Sequence, residues 1–490
     1  MSQRFNHQLF LYVIGVLLLF FSVAFIAPAV VGFIYFEACS WVFVFCSVSC
    51  FMVGTLLKQA YAKHKPFLSK RDGRLTIGLS WILLPVVGAV PYTFLGDYFS
   101  ALDALFESFS GFTTTGSSLI TTFIGIPKAI LFWRALTQWI GCLGFIFILI
   151  SLMPSLRNDV QNFFNIEFDS INSSKVKPHL RTTIYMIFII YLLISGVCFV
   201  ALLAAKMDTF NALCYTFTTV STGGFMFNDG GAGVFSPSIR VVLMSVMFLS
   251  GISYYLLYFL ITSKRRLLFH DEQVRVYSKL ILIASLILSL FFYFKTDFST
   301  DIHAILATIS KSFFYIISAV STTGYSFSSQ SLPLFASVFI VFLMFIGGCS
   351  ASSSTGLKIV RVTILARYTT AAIKRLLFPH SVLPVRFNHS AIKDDSVNMI
   401  FGFFFLYIII CVVGAALITM SGISFDDAFM IASANINNVG GLGEEVASSS
   451  FTYASTNSGA KVIIIALMLI GRLEIYSFFA LFSRSIWSRR

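Results

Sequence analysis

Ten apolar runs constrain this chain of 490 residues more than any single motif. They lie at residues 8–28, 39–57, 75–95, 129–152, 183–204, 239–262, 279–294, 335–348, 398–420 and 461–483. About 20 mainly apolar residues cross the ~30 Å hydrocarbon layer as a helix. No water is available there, so the backbone must satisfy its own hydrogen bonds. The run at 279–294 is short, and the one at 335–348 leads into a Gly/Ser stretch. The first run exceeds the ~7–15 residues of a signal peptide core and is read as a retained helix. Only 11% of residues are charged and 57% are hydrophobic. A soluble domain carries about 25% charge, so a soluble enzyme, a disordered chain and a collagen-like fibre are excluded.

The formal net charge is +13. On a soluble protein that would point to nucleic acid; here it points to loops on one side of a bilayer. Segments 58–74, 153–182, 263–279 and 357–395, with Arg4, Arg484, Arg489 and Arg490, hold 26 of the 34 Lys and Arg residues. Ten crossings put all of them, and both termini, on one face, which the charge rule makes cytoplasmic. The eight cysteines form no C-x-x-C pair and mostly sit in apolar runs. They read as small hydrophobes, with no disulfide framework and no metal cluster. No nucleophile elbow, H-E-x-x-H, Walker A or dinucleotide fingerprint occurs. The chain therefore does not read as an enzyme.

A phrase recurs four times: Thr113-Thr114-Thr115-Gly116-Ser117, Val220-Ser221-Thr222-Gly223-Gly224, Val320-Ser321-Thr322-Thr323-Gly324 and Asn437-Asn438-Val439-Gly440-Gly441. Its glycines, taken as Gly116, Gly223, Gly324 and Gly440, are 107, 101 and 116 residues apart. Such a period marks a tandem array of large units. The predicted architecture is an all-α polytopic membrane protein. It has four helix–pore-helix–filter–helix repeats around a pseudo-fourfold pore, at 72–157, 176–266, 275–375 and 394–490. Residues 1–57 form an extra helical hairpin.

Short stretches before the phrases, such as Asp103–Phe112 and Asp427–Ile436, read as re-entrant half-helices. Ser100-x-x-Asp103 and Ser424-x-x-Asp427 resemble capping boxes at their starts. The third repeat has Lys311 at the position of that acid. A half-helix descending from its cap aims its negative C-terminal end at the membrane centre. Non-helical backbone at that depth must be buried in protein or line a water-filled cavity. Four such segments on one axis would let carbonyl oxygens replace the hydration shell of a cation.

These phrases, with Phe132-Trp133-Arg134-Ala135-Leu136-Thr137-Gln138-Trp139-Ile140-Gly141, Gly347-Gly348-Cys349-Ser350, Thr355-Gly356-Leu357-Lys358 and Gly471-Arg472-Leu473-Glu474, carry a resemblance. The chain resembles the TrkH-type subunit of bacterial potassium uptake systems, in the Trk/Ktr/HKT superfamily. The resemblance implies a filter of Thr114, Thr115, Gly116; Ser221, Thr222, Gly223; Thr322, Thr323, Gly324; and Asn438, Val439, Gly440. Glycine in all four repeats is similar to potassium-selective members, making K+ the transported ion. The fourth phrase runs a residue tighter than the family's pattern.

Residues 347–356 hold three Gly and five Ser/Thr, which do not easily continue a helix. The resemblance implies an intramembrane gating loop there, with Gly347, Gly348, Gly356, Lys358 and Arg472 as gating residues. Arg472 is twelfth in the run 461–483. A charge at that depth costs at least ~2.5 kcal/mol and faces a cavity or a partner. Glu474 stands about 200° round the same helix and is a poor partner. The resemblance further implies a homodimer in the bacterial inner membrane, in contact with lipid. It also implies a cytoplasmic nucleotide-binding regulatory subunit of the TrkA kind. A sodium- or proton-coupled secondary cation transporter is the alternative.

Overall fold

The computed structural model describes residues 7–62, 70–94, 99–152, 180–261, 270–295, 301–328, 330–378, 380, 383–388, 390–392, 394–448, 451–473 and 478. Arg4, Glu474, Arg484, Arg489, Arg490 and, of the basic segments, residues 63–69, 153–179 and 263–269 lie outside them.

The chain opens with a hairpin of α1 (His7–Ile34) and α2 (Ser40–Tyr61). Their backbones meet at Gly15 and Gly54. A Cβ on Gly15 would fall 3.0 Å from the Gly54 carbonyl oxygen, and one on Gly54 would fall 2.9 Å from that of Gly15. Small residues at such a crossing allow the close approach that membrane helices use in place of a hydrophobic driving force.

The four repeats follow in order. The first has α3 (Lys70–Thr93), the short α4 (Ala101–Phe112) and α5 (Lys128–Leu152). The second has α6 (Leu180–Ala204), short α7 (Thr209–Val220), α8 (Pro237–Ser250) and α9 (Tyr254–Ile261). The third has α10 (Glu272–Lys295), α11 (Ile302–Val320), α12 (Leu334–Ile346) and α13 (Ile359–Leu377). The fourth has α14 (Asp394–Thr419), short α15 (Phe425–Ile436), α16 (Gly443–Val446) and α17 (Ser458–Leu473). A two-stranded ribbon, β1 (Arg386–Phe387) with β2 (Ser390–Ala391), joins the last two.

By length and composition, six helices among the described residues suffice to cross a membrane. One is Ile302–Val320, yet it ends at the third Thr-Gly phrase instead of passing it.

The short helices start where their caps dictate. Ser100 and Asp103 exchange side-chain and backbone bonds in a capping box, and Ser424 accepts from the Asp427 amide. Each such cap satisfies amides that the first turn leaves open. The third repeat resolves the oddity at Lys311. Its helix begins ten residues earlier, where Asp301 accepts from the His303 amide. Lys311 is mid-helix, with its ammonium 5.4 Å from the Phe292 ring centroid and 5.6 Å from that of Phe327. These are distances at which aromatic faces attract a cation.

One apolar run divides. The sequence reads 239–262 as a single span, but it breaks at residues 251–253 between α8 and α9. Gly251 packs against the Tyr277 hydroxyl, and its carbonyl accepts the Cys349 amide at 2.9 Å instead of closing a helical turn. That competing partner lies about a hundred residues away, so local propensity does not reveal the break.

The repeats interlock as a ring. The helix leaving each phrase packs on the short helix of the next repeat: α5 on α7, α8 on α11, α12 on α15, and α17 back on α4. Lys461 of α17 seals the last junction, 2.6 Å from Asp103 of α4. The hairpin docks on the first repeat through an aromatic cluster, Phe25 against Trp133 at 4.6 Å and Phe21 against Phe112 at 5.4 Å. Glu37 completes the docking. Its carboxylate accepts the amides of Lys128 and Ala129 at 2.6 and 2.9 Å, capping α5 from outside the repeat.

Glu37→Ala strips two first-turn amides of α5 of their acceptor, a loss of about 1–2 kcal/mol by analogy with helix caps. The thermal midpoint of the purified protein in detergent is expected to fall by a few degrees. An unchanged midpoint would show that the hairpin docks without this contact.

Candidate functional site

The site is built from the ends of four helices. Helices α4, α7, α11 and α15 stop at Thr113, Ser221, Ser321 and Asn437. The next residue is left-handed in every case: Thr114 at φ 55°, Thr222 at 52°, Thr322 at 56° and Asn438 at 51°. Two bonds recur each time. The left-handed residue donates its amide three residues back, to Gly111, Thr219, Ala319 or Asn435, at 3.0–3.1 Å. The following residue donates five back, to Ser110, Thr218, Ser318 or Ala434, at 2.8–2.9 Å. This is the Schellman helix ending, which ordinarily uses glycine at the left-handed position. A β-branched threonine there is a backbone outlier costing about 1–3 kcal/mol. Three repeats carry that strain at one position, and the fourth uses the better-tolerated Asn.

The geometry fixes the register between repeats. Left-handed glycines follow at Gly116 (φ 82°), Gly224 (74°) and Gly324 (80°). The second repeat is therefore offset by one from the sequence alignment, with Gly224 in the place of Gly116 and Ser221 in the cap position. The fourth repeat departs further: Gly440 is not left-handed and starts a 3-10 turn leading into α16.

The four segments close on one another. A methyl on Gly116 would strike the Gly223 carbonyl oxygen, and one on Gly224 would strike that of Thr323. Gly324 faces Val439, and the Gly440 amide donates to Thr115 at 2.7 Å, returning to the first repeat. A Cβ on Gly441 would meet the carbonyl oxygens of both Gly324 and Gly224, so these oxygens point into a shared space. The sequence-predicted positions Thr114, Thr115, Gly116, Ser221, Thr222, Gly223, Thr322, Thr323, Gly324, Asn438, Val439 and Gly440 are all buried and all lie on this ring. Each helix ends there with about half a negative charge, which favours a cation.

Of the side chains that brace the ring from behind, Asn438 is among the sequence-predicted positions, while Gln138 and Tyr325 are not. Gln138 donates to the Gly223 carbonyl at 2.7 Å and accepts the Phe225 amide at 3.3 Å. The Tyr325 hydroxyl lies 2.6 and 2.7 Å from the hydroxyls of Thr218 and Thr219. Asn438 reaches the Thr115 hydroxyl at 2.8 Å. Each segment leaving the ring is also pinned. Glu107 accepts the Leu119 amide at 2.6 Å, and the Tyr215 hydroxyl that of Phe227 at 3.1 Å. Glu445 accepts the Ser328 amide and Asp427 that of Ser448, both at 2.7 Å.

Glu107 is wholly buried and paired with equally buried Arg134 at 3.1 Å, whose guanidinium lies 4.1 Å from the Phe225 ring. Arg134 stands in the apolar run 129–152, so it carried the same signal as Arg472: a cation where one is expensive.

Below the ring runs a non-helical stretch from Gly347 to Lys358, bounded by left-handed Gly347 (φ 68°), Gly356 (85°) and Lys358 (71°). It reaches the ring. The Thr355 amide donates to the Thr322 hydroxyl at 2.9 Å, and its own hydroxyl bonds the Asn437 carbonyl. The loop also packs on the break between α8 and α9, where Ser353 donates to the Ser250 carbonyl at 3.0 Å and Tyr254 donates to the Ala351 carbonyl at 3.2 Å. Two cations hold its carbonyls: Lys358 reaches Ser354 at 2.6 Å and Arg472 reaches Ser353 at 3.2 Å. The predicted set Gly347, Gly348, Gly356, Lys358 and Arg472 thus gathers in one place; Thr355, which ties the loop to the ring, was not in it.

Comparison with known proteins agrees in extent and in shape. A family profile, TrkH, described as a cation transport protein, matches residues 40–489. The Trk system potassium uptake protein TrkH of Escherichia coli K12 is 32% identical over 481 residues, covering 97% of this chain and 98% of that protein. The protein TrkG of the same organism, also of the Trk potassium uptake system, is 30% identical over 478 residues, 96% of this chain and 97% of that protein. The crystal structure of the potassium transporter TrkH from Vibrio parahaemolyticus superposes with a TM-score of 0.87 at 28% identity, covering 99% of this chain and 100% of that one.

Removing one partner of a buried ion pair costs about 3–5 kcal/mol because the other charge stays buried. Arg134→Ala is therefore expected to lower folded yield and thermal midpoint sharply, whereas exposed Arg375→Ala leaves both unchanged. Glu445 gives a pH signature. Burial in α16, just past the fourth helix ending, pushes its carboxyl up to about 7 from an ordinary 4.5. The protonated form thus favours the folded state. Its contribution to stability is complete below about 4.5 and is lost as pH rises through about 7. The thermal midpoint should decline over that interval, with a shallower slope in Glu445→Gln.

Proposed function

This chain belongs to the TrkH family of cation transport proteins, and we propose that it carries potassium into the bacterial cell through the centre of its four-repeat ring. The observation that carries this reading is the recurrence of one strained helix ending, at Thr114, Thr222, Thr322 and Asn438, around a closed circle of buried backbone. Nothing in a structural turn requires that conformation four times over at equivalent places.

In this reading the filter is the set Thr114-Thr115-Gly116, Thr222-Gly223-Gly224, Thr322-Thr323-Gly324 and Asn438-Val439-Gly440, with Ser221 as cap. Carbonyl oxygens held inward replace the water shed by the ion. The four helix ends offset the cost of bringing a charge to that depth. The loop 347–358 closes the pathway immediately below. Arg472 adds an electrostatic barrier on the same side, and opening displaces the loop from Thr322 and Asn437. The pore repeats are 72–157, 176–266, 275–375 and 394–490, preceded by the hairpin 1–57.

The protein works as a homodimer in the inner membrane with both termini in the cytoplasm. There the basic segment 357–395 meets a nucleotide-binding subunit of the TrkA kind. The names of its relatives support the Trk system assignment, and the charge distribution supports the orientation.

Growth at low potassium is the direct test. The gene is expected to restore growth of a strain lacking its potassium uptake systems when the partner is present; failure to do so overturns the reading. In liposomes, Arg472→Ala is expected to raise cation flux per molecule about tenfold, the equivalent of ~1.4 kcal/mol of barrier. Loss of folded protein without increased flux would make Arg472 structural.

A further inference from the structure

The sequence motifs leave the start of α10 unassigned, yet three consecutive residues there, Asp271-Glu272-Gln273, touch two different parts of the structure. Gln273, wholly buried on the first turn of α10, accepts the Ser350 amide at 3.1 Å. Ser350 lies inside the loop that Arg472 and Lys358 hold. The donor is a backbone N–H, so the amide oxygen must face it, which fixes the orientation of the side chain. Among the described residues its Nε2 has no partner, and the contact with Ser350 is the bond that this buried side chain makes to them.

Its two neighbours face the other way. Asp271 caps the helix by accepting the Gln273 amide at 2.9 Å, and its second oxygen accepts from the Asn388 side chain at 2.9 Å. Glu272 donates its amide to Asn388 at 3.0 Å and accepts that residue's amide at 3.0 Å. Asn388 forms the turn of the β1–β2 ribbon, in a left-handed conformation at φ 45°. Arg367 of α13 bonds the Glu272 carboxylate and donates to the Arg386 carbonyl of the ribbon at 2.6 Å.

These contacts close a circuit. The loop leads covalently into α13. Helix α13 is clamped through Arg367 to Glu272 and to the ribbon. One residue further along, Gln273 grips the loop again. A displacement of α13 or of the ribbon therefore pulls on Ser350 through a rigid helix start. Coupling of this kind needs a continuous set of contacts that both ends bias, and Asp271-Glu272-Gln273 supplies one three residues long.

We propose that Gln273 is a positioning residue for the loop 347–358, and that Asp271 and Glu272 relay the placement of the 386–391 ribbon to it. The proposal rests on reading that loop as the gate. Breaking the Gln273 contact favours the displaced loop by the net worth of one buried hydrogen bond, about a 2–10-fold change in the closed–open ratio.

The test is rubidium flux per unit of reconstituted protein in liposomes without any partner. Gln273→Leu is expected to raise unstimulated flux by that factor with the potassium-to-sodium preference unchanged. Gln273→Glu, which keeps an acceptor in place, returns it toward the wild-type level. Glu272→Ala raises it too, and the double variant exceeds neither single one, because both act on one chain of contacts. Deleting residues 350–354 provides the reference. If that deletion raises flux while Gln273→Leu does not, the relay is overturned and the gate stands. If neither changes flux, the gate reading itself fails. A rise in Gln273→Leu that Gln273→Glu does not reverse, or additive effects in the double variant, also overturns the relay. Should Gln273→Leu not assemble, Glu272→Ala paired with Arg367→Ala carries the same readout, and wild-type flux in that pair overturns it.

Discussion

Everything central in this molecule hangs on how four helices end. A helix that stops inside a membrane leaves carbonyls without partners, and no water is present to accept the debt. The Schellman ending resolves this by turning the chain back on itself with two bonds, and it demands a left-handed residue. Threonine at that position is strained. It persists because the ring around it is fully packed and because Gln138, Tyr325 and Asn438 each hold a neighbouring segment in place. The strain sits at the four helix ends on which the ring closes, where the surrounding structure over-determines the backbone.

The same constraint shapes the surroundings. Segments leaving the ring have backbone amides to satisfy, and four different groups do so: Glu107, Tyr215, Glu445 and Asp427. Two of them are wholly buried carboxylates with different solutions. Glu107 is charge-paired with Arg134, while Glu445 relies on amide and hydroxyl donors, and its carboxyl is pushed up to about 7. The pseudo-fourfold frame is therefore regular in backbone and individual in chemistry. The third repeat shows this most clearly. Its helix, 19 residues long against 12 in each of the others, starts seven residues early after the Asp301 cap, and its exit is interrupted by the loop that returns to Thr322 and Asn437.

Much of this was legible in the residues. Ten apolar runs, the capping boxes at Ser100 and Ser424, and a phrase recurring every hundred residues follow from hydropathy and hydrogen-bonding rules that act locally. Arg472 announced itself as a charge in an apolar run. Arg134 made the same announcement, and only the buried acid opposite, contributed by another helix, explains it. The break at 251–253 carried no local signal, because its cause is the loop that occupies its carbonyls.

By itself, then, the sequence determined the order of the apolar runs, the fourfold phrase and the break at 347–356, all of which depend on neighbours a few residues apart. The tertiary structure decided the register of the ring. Gly223 and Gly224 are indistinguishable in a phrase, and only the end of the preceding helix at Val220 places Gly224 opposite Gly116. It also decided which side chains brace the ring and what the loop touches. Those contacts join residues a hundred or more positions apart, and their energy exists only once the four repeats have closed.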